Sequence, residues 1–145
     1  MISALLQISI AWIYGYVAEY SIHRWVLHKW AAKKSRIFSF HFYGHHRAAR
    51  MNKFKDPAYQ GFPKSLNSSV KEILSLLGLV AIHIPVIYYF PWAFLTLVVS
   101  SCHYYYVHRR SHQDIEWAKE NVPWHYDHHM LLNQNKNFGV RSDII

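Results

Sequence analysis

Uncharged, mainly apolar residues fill long stretches of the chain and predict helices that cross a membrane. No Asp, Glu, Lys or Arg occurs in the 36 residues 73–108. As a helix this stretch would be about 54 Å long, whereas one membrane crossing takes about 20 residues. Pro91 lies midway and predicts a turn between two short spans, over about 73–90 and 92–107. The alternative is a buried helical hairpin of a soluble protein.

A third apolar stretch, ISALLQISIAWIYGYVA, begins the chain and predicts a span over about 2–20. A cleaved signal peptide is the rival interpretation. The stretch has no basic residue ahead of it and no convincing small-residue cleavage site, so we expect an uncleaved span. The pattern therefore predicts an all-α fold, an integral-membrane helical bundle with about three to four membrane-embedded helices, in a single domain over 1–145.

The distribution of charge predicts the orientation of this bundle. The chain has 16 Lys and Arg against 8 Asp and Glu, a formal charge of +8, and no basic residue precedes Arg24. Since cytoplasmic segments carry the excess of Lys and Arg, 23–72 and 108–145 are predicted to be cytoplasmic. The membrane would be a bacterial inner membrane or the endoplasmic reticulum. This explains the positive charge without nucleic acid, for which no binding motif is present.

Four groups of histidines are the candidate chemistry, and the predicted topology brings them to one side of the membrane. Ten of the twelve histidines lie in the two cytoplasmic stretches. They are His23, His28, His41, His45, His46, His108, His112, His125, His128 and His129. Residues three or four apart share a helix face, so side chains at these spacings can converge on one ion. A solvated His-rich surface is the alternative.

The spacings also suggest how the histidines divide between ions. His41 and His45 are expected to face one ion and His46, about 100° further around a helix, a second. His23 and His28, five residues apart, do not share an α-helical face, which predicts either different ions or an unwound helix. Two further histidines lie inside the predicted spans. For His83 we expect a polar contact between helices.

The number and type of these side chains favour two transition-metal ions. A single zinc ion takes four ligands, and ten imidazoles suit two ions better. Imidazole binds Zn, Cu, Fe and Ni, whereas the scarcity of carboxylates in the clusters argues against Mg and Ca. The single Cys102 excludes an intramolecular disulfide and a cysteine zinc cage. Asp127, Glu19 and His103 are candidates for outer partners of the ligands, with a solvated surface acid as the alternative for Asp127.

In this order, the spacings HX4H, HX3HH, HX3H and HX2HH resemble the fatty acid hydroxylase/sterol desaturase superfamily of integral-membrane di-iron enzymes. The resemblance covers about 19–139, and PWHYDHHM with NQNKNFGV is similar to the bacterial fatty acid hydroxylase-like branch. It implies a helical bundle with a cytoplasmic His-rich dimetal cap. The ten histidines would be the ligands of two iron ions, which zinc can replace in isolated members.

The resemblance also implies a reaction, the O2-dependent hydroxylation of a membrane lipid. We expect a fatty acyl chain as substrate, because so short a chain has little room for a lid over a bulky sterol. A desaturase or carotenoid hydroxylase of the same superfamily is the nearest alternative, and a non-catalytic metal-binding or metal-handling membrane protein is an alternative of another class. Relatives usually continue beyond the last His group, so we expect a minimal or truncated member. Electrons would come from an external donor, cytochrome b5-like or ferredoxin-like.

Overall fold

Helices form all the regular structure in the part of the chain that the structure describes. The structure is a computed structural model, and it describes residues 2–33, 36–62, 65–132 and 134–143. It contains no strand in these ranges, which confirms the all-α prediction. The α-helices are α1 (Ala4–Ser21), α2 (Arg47–Met51), α3 (Ser68–Ile82), α4 (Val86–Tyr89), α5 (Pro91–Gln113), α6 (Ile115–Asn121) and α7 (Pro123–Met130).

Local sequence signals explain where the helices begin. Ser3, Asn67 and Asp114 precede α1, α3 and α6, and each side-chain oxygen accepts a hydrogen bond from a backbone N–H of the first turn. Such caps satisfy N–H groups that have no partner within the helix. Pro91 and Pro123 occupy the first positions of α5 and α7, where the missing N–H costs nothing.

Two π-helices lie between α1 and α2 and carry half of the clustered histidines. The first, Ile22–Trp30, continues α1 without a break, and the second, Phe40–His46, leads directly into α2. A π-helix pairs residue i with i+5, so residues five apart come to lie near the same side. A short 3-10 helix, Pro57–Tyr59, follows α2.

The three predicted spans correspond to helices, with one difference. The predicted span 2–20 is α1, and 92–107 lies within the longer α5, whereas 73–90 is divided into α3 and α4 by a turn at 83–85. Pro85 explains the division, because a proline cannot donate the hydrogen bond that would continue α3. In the ranges that the structure describes, no helix has both the length and the hydropathy of a membrane span.

The packing has an apolar half, formed by α1, α3, α4 and the first part of α5, and a polar half, formed by the two π-helices, α2, α6, α7 and the end of α5. α1 packs along α5, and α3 packs against α5 beside it. A small core beyond the histidines joins α5, α6, α7 and the C-terminal segment. Its buried members are Phe54, Val107, Ala118, Val122 and Val140.

The close approach of α1 and α5 depends on Gly15. A Cβ at this position would collide with Oγ of Ser100, and that hydroxyl is held in place because it accepts a hydrogen bond of 2.7 Å from Arg141. We expect Gly15→Ala to destabilise the protein by about 1–2 kcal/mol, although alanine is the better helix former. Gly78→Ala is the matched control, since nothing lies within 4 Å of its Cβ position. It should stabilise by up to about 1 kcal/mol, as measured by thermal unfolding followed by circular dichroism. Equal effects of the two substitutions would contradict this packing.

Candidate metal centre

The structure brings the ten clustered histidines together in the interior of the polar half. Each of the ten is at most 5 % exposed. Two groups of four could each hold a metal ion, because their ligand atoms lie within 4.8 Å of one another. They are His23, His28, His41 and His46, and His45, His108, His112 and His129.

Site 1 consists of five histidines, the first group together with His128. Their Nε2 atoms form a chain of short contacts, 2.9 Å from His23 to His41 and 3.2 Å from His41 to His46. The chain continues over 3.2 Å from His46 to His28 and 3.1 Å from His28 to His128. Neighbouring nitrogens around an ion lie about 3.0–3.4 Å apart when the bonds are about 2.1 Å long. The spacing is therefore that of a coordination shell.

Site 2 consists of the second group together with His125. The Nε2 atoms of His45 and His108 are 3.1 Å apart, and those of His112 and His125 are 3.3 Å apart. The ring of His129 lies 4.7 Å from the rings of His45 and of His112, measured between centroids. The two sites adjoin, since the ring of His129 stacks on that of His46 in site 1 at 4.1 Å.

The division between the sites corrects the expectation for the second His group. His41 lies with His46 in site 1, and His45 lies in site 2. The π-helical backbone is the reason, because it places residues five apart on one side. It also places His23 and His28 in the same site, where α-helical spacing predicted a poor match. The assignment of all ten histidines as metal ligands stays a prediction.

A hydrogen bond from Nδ1 to an oxygen fixes the tautomer of five rings. Backbone carbonyls accept from His23, His112 and His128, and carboxylates accept from His45 and His108. The carbonyl of Phe138 accepts from His23 at 2.6 Å, that of Phe54 from His112 at 2.8 Å, and that of Lys136 from His128 at 2.6 Å. The Asp56 carboxylate accepts from His45 at 2.7 Å, and the Glu72 carboxylate accepts from His108 at 2.6 Å. A neutral imidazole that donates from Nδ1 has a lone pair on Nε2, which is the form that binds a metal.

These lone pairs face one another and fit a cation between them. His45 and His108 both donate from Nδ1, so no proton is left to join their Nε2 atoms at 3.1 Å. Neither ring nitrogen of His129 has a hydrogen-bond partner among the described residues, although the side chain is fully buried. Unpaired buried polar groups are costly, and a metal ion accepting these lone pairs would remove the cost. The residues present therefore fit two metal ions.

Burial also keeps the ligands unprotonated. It is the largest cause that lowers the pKa of nine site histidines, to about 3 for His28 and about 4 for His128. A metal ligand must be neutral imidazole, and a lowered pKa means that little proton competition opposes binding near neutral pH.

The outer partners differ from those that the sequence suggested. Asp56 and Glu72 hold His45 and His108, and neither was a candidate. Of the three candidates, Asp127 makes no hydrogen bond to a histidine among the described residues, and His103 stacks on Trp12 at 6.0 Å, within the apolar half. The contact expected for His83 is present, because its Nε2 lies 3.1 Å from the Tyr14 hydroxyl on α1.

Glu19 acts on the site indirectly, through the C-terminal segment. One carboxylate oxygen accepts from the backbone N–H groups of Val140 and Arg141 at 2.6 and 3.0 Å, and the other accepts from the Arg141 guanidinium at 2.5 Å. This buried ion pair fixes the segment whose carbonyls at Lys136 and Phe138 hold two ligands of site 1. Glu19 is therefore not a direct partner of a histidine.

An apolar cavity of about 820 Å³ adjoins the metal centre. It lies between α1, α3 and α5, and its lining includes Val26, Leu76, Leu79 and Leu97. His23 and His41 of site 1 also line it. The cavity therefore extends from the side chains of site 1 into the apolar half.

Comparisons with known proteins found no relative of the chain. No protein-family model, curated protein or solved structure matches the chain. The resemblance in His spacing to a known superfamily consequently stays a prediction.

Substitution of single ligands tests the two sites separately. We expect His128→Ala in site 1 and His45→Ala in site 2 each to reduce bound metal from two ions to one or none per chain. His83→Ala is the control, because this residue bonds Tyr14 and should leave the metal content at two. Metal analysis of the purified proteins measures the result. Two ions retained in both cluster variants would contradict the ligand assignment.

Acidification should release the metal and destabilise the protein. The unfolded chain binds protons at its histidines below about pH 6.5, whereas His28 and His128 stay neutral in the fold down to about 3 and about 4. Between these limits, stability falls as pH falls, by about 2 kcal/mol per such histidine at pH 5. Thermal midpoint and metal content between pH 7.5 and pH 5 measure the effect. A midpoint that is unchanged or higher at pH 5 would count against it.

Proposed function

We propose that this protein is an O2-dependent lipid hydroxylase with a His-ligated di-iron centre. One observation carries the proposal: His23 and His41 belong both to site 1 and to the wall of the apolar cavity. A molecule in the cavity would therefore lie against the metal centre. The substrate that we propose is a fatty acyl chain.

The shape and chemistry of the cavity support an acyl chain. Its volume is within the range of about 300–1,000 Å³ that is usual for small-molecule sites. Leucine, valine and phenylalanine side chains form much of its wall. Of the four charged residues in the wall, Glu19 and Arg141 are paired with each other, and Glu72 is bonded to His108 and Tyr59. A hydrocarbon chain would gain free energy by leaving water for such a surface.

The exterior of the apolar half supports a membrane location. Large apolar side chains project outward from α1, α3 and α5, where a soluble protein rarely exposes a broad apolar surface. Leu5, Ile10, Ile13, Leu77 and Leu95 are 52–74 % exposed, and none of them lines the cavity. We propose that lipid covers this half, with the metal centre and the C-terminus in the cytoplasm, as the basic residues indicate. An acyl substrate would then enter the cavity from the membrane.

The donor set supports iron as the working metal. Five imidazoles per site exceed the four ligands of a typical zinc site, and iron accepts imidazole readily. When bound, a pair of iron ions supplies O2 activation, with electrons from an external cytochrome b5-like or ferredoxin-like donor. Zinc could occupy the same nitrogens without supplying redox chemistry.

The side chains around the centre would orient the metal ligands and exclude water from the metal ions. The buried histidines exclude water, which limits side reactions of activated oxygen. Tyr59 lines the cavity, and its hydroxyl donates to Glu72 at 2.6 Å, while the other oxygen of Glu72 accepts from His108. Burial raises the pKa of Tyr59 well above its ordinary value, so the hydroxyl keeps its proton at neutral pH. This chain of hydrogen bonds fixes the orientation of His108.

Expression with iron and a redox partner tests the reaction. Lipid mass spectrometry should find an acyl chain with one added oxygen. Leu79→Trp, which fills the cavity, should lower product at least tenfold and retain two metal ions per chain. Leu77→Trp is the matched control, because Leu77 faces outward on the same helix and does not line the cavity. It should retain both metal and product.

The products separate the proposal from its alternatives. Loss of two hydrogens from the lipid would identify a desaturase. A hydroxylated carotenoid would show that the substrate is a carotenoid and not an acyl chain. The protein can be expressed in hosts that contain acyl lipids, carotenoids or sterols. If it binds both metals and alters no lipid in any of them, the enzyme proposal is overturned in favour of a metal-binding protein. Equal activity of the Leu79→Trp and Leu77→Trp variants would exclude the cavity as the substrate site.

A further inference from the structure

The two metal sites have different surroundings. In site 2, the carboxylates of Asp56 and Glu72 accept from His45 and His108 at 2.7 and 2.6 Å. In site 1, the described structure shows no carboxylate bonded to a histidine. The oxygens that accept from His23 and His128 are neutral backbone carbonyls. The donor nitrogens are alike in the two sites, but their outer partners differ by two negative charges.

The carboxylates of site 2 are themselves buried and lack a basic partner. Asp56 is 2 % exposed, and its other oxygen accepts from the backbone N–H of Ala58. Glu72 is 9 % exposed, and its other oxygen accepts from Tyr59. No Lys or Arg pairs with either carboxylate in the described residues. Two buried negative charges of this kind favour a divalent cation at the nearest ligands, because burial without a counter-charge is costly.

The charged residues near site 1 do not give a cation comparable support. Glu19 is the acid that bonds the C-terminal segment whose carbonyls accept from His23 and His128, and the Arg141 guanidinium neutralises it. Among the described residues, a divalent cation in site 1 therefore has no unpaired carboxylate bonded to its ligands.

The cavity approaches the two sites unequally. His23 and His41 of site 1 are in its lining, whereas no histidine of site 2 is among the lining residues. Site 1 thus presents two ligands to the cavity, whereas site 2 presents only Glu72, the carboxylate that bonds His108, and none of its own histidines.

We propose that the two sites have unequal tasks: site 2 retains its ion tightly, and site 1 holds the weaker, exchangeable ion that faces the cavity. Asp56 and Glu72 are positioning residues that act through His45 and His108. A carboxylate that accepts from a metal-bound histidine makes the ring a stronger ligand, and its loss typically lowers metal affinity 10–100-fold. The inference rests on the dimetal centre of the proposed function and not on the lipid reaction.

Competition between the zinc-loaded full chain and a chelator tests the inequality. Removal of zinc should occur in two steps of one ion each, with affinities at least tenfold apart. In His41→Ala, which disrupts site 1, only the tight step should remain. A single step that releases both ions from the unmodified chain would overturn the proposal.

Charge removal identifies which site is tight. Asp56→Asn keeps one oxygen that can accept from His45, removes the charge and replaces the oxygen that accepts from Ala58 with an amide nitrogen. It should weaken the tight step 10–100-fold and leave the loose step unchanged. Glu72→Gln should do the same through His108, and serves if the first variant does not fold. Glu116→Gln is the control, because this acid is exposed and pairs only with Lys119 in the described structure.

The variants also separate this role from a merely structural one. General loosening of the fold would weaken both steps together and lower the thermal midpoint of the metal-free protein. A selective effect of Asp56→Asn on the loose step, or equal effects on both steps, would overturn the assignment. Because zinc supports no oxygenation, unequal zinc sites can be found whether or not a lipid product is ever detected. Equal sites would leave the lipid reaction possible.

Discussion

Contacts between buried Nε2 atoms are the constraint on which the polar half depends. Several of these nitrogens carry lone pairs and lie about 3 Å apart, so they repel one another unless a cation lies between them. His28 and His128 are 100 positions apart in the chain and are joined in this way. Among the described residues, the apolar core nearby has five buried side chains. Metal binding is therefore expected to supply much of the free energy that holds this half folded, as in small metal-dependent domains.

The sequence was sufficient to predict that the histidines come together. Two charge-free stretches and one-sided basic residues predicted that four distant His groups share one level, and the structure places all ten histidines in one buried cluster. The prediction depended on topology, because the C-terminal ends of α1 and α5 lie at the same end of the helix pair. The all-helical fold followed from the same apolar pattern. The membrane itself stays a prediction.

The grouping within the cluster was not predictable from α-helical spacing. The stretch 39–47 was assigned by a period of 3.6, which pairs His41 with His45, whereas the π-helix pairs His41 with His46. The outer carboxylates were missed for another reason. Asp56 and Glu72 are 11 and 36 positions from their histidines and have no local signal. Asp127 was suggested by its place beside His128, but adjacent helical residues point about 100° apart.

The junction of α1 with the first π-helix ties the metal centre to the cavity. One uninterrupted helical segment carries Tyr14 and Ile22 in the cavity wall and then His23 and His28 in site 1. The C-terminal segment holds the same region from the other side, since Glu19 bonds Arg141 and His23 bonds Phe138. A shift of α1 would therefore move a wall of the cavity and two ligands together. In the proposed function, the distance between an acyl chain and an ion in site 1 would accordingly be set by one helical segment, whereas the carboxylates that hold site 2 lie outside that segment.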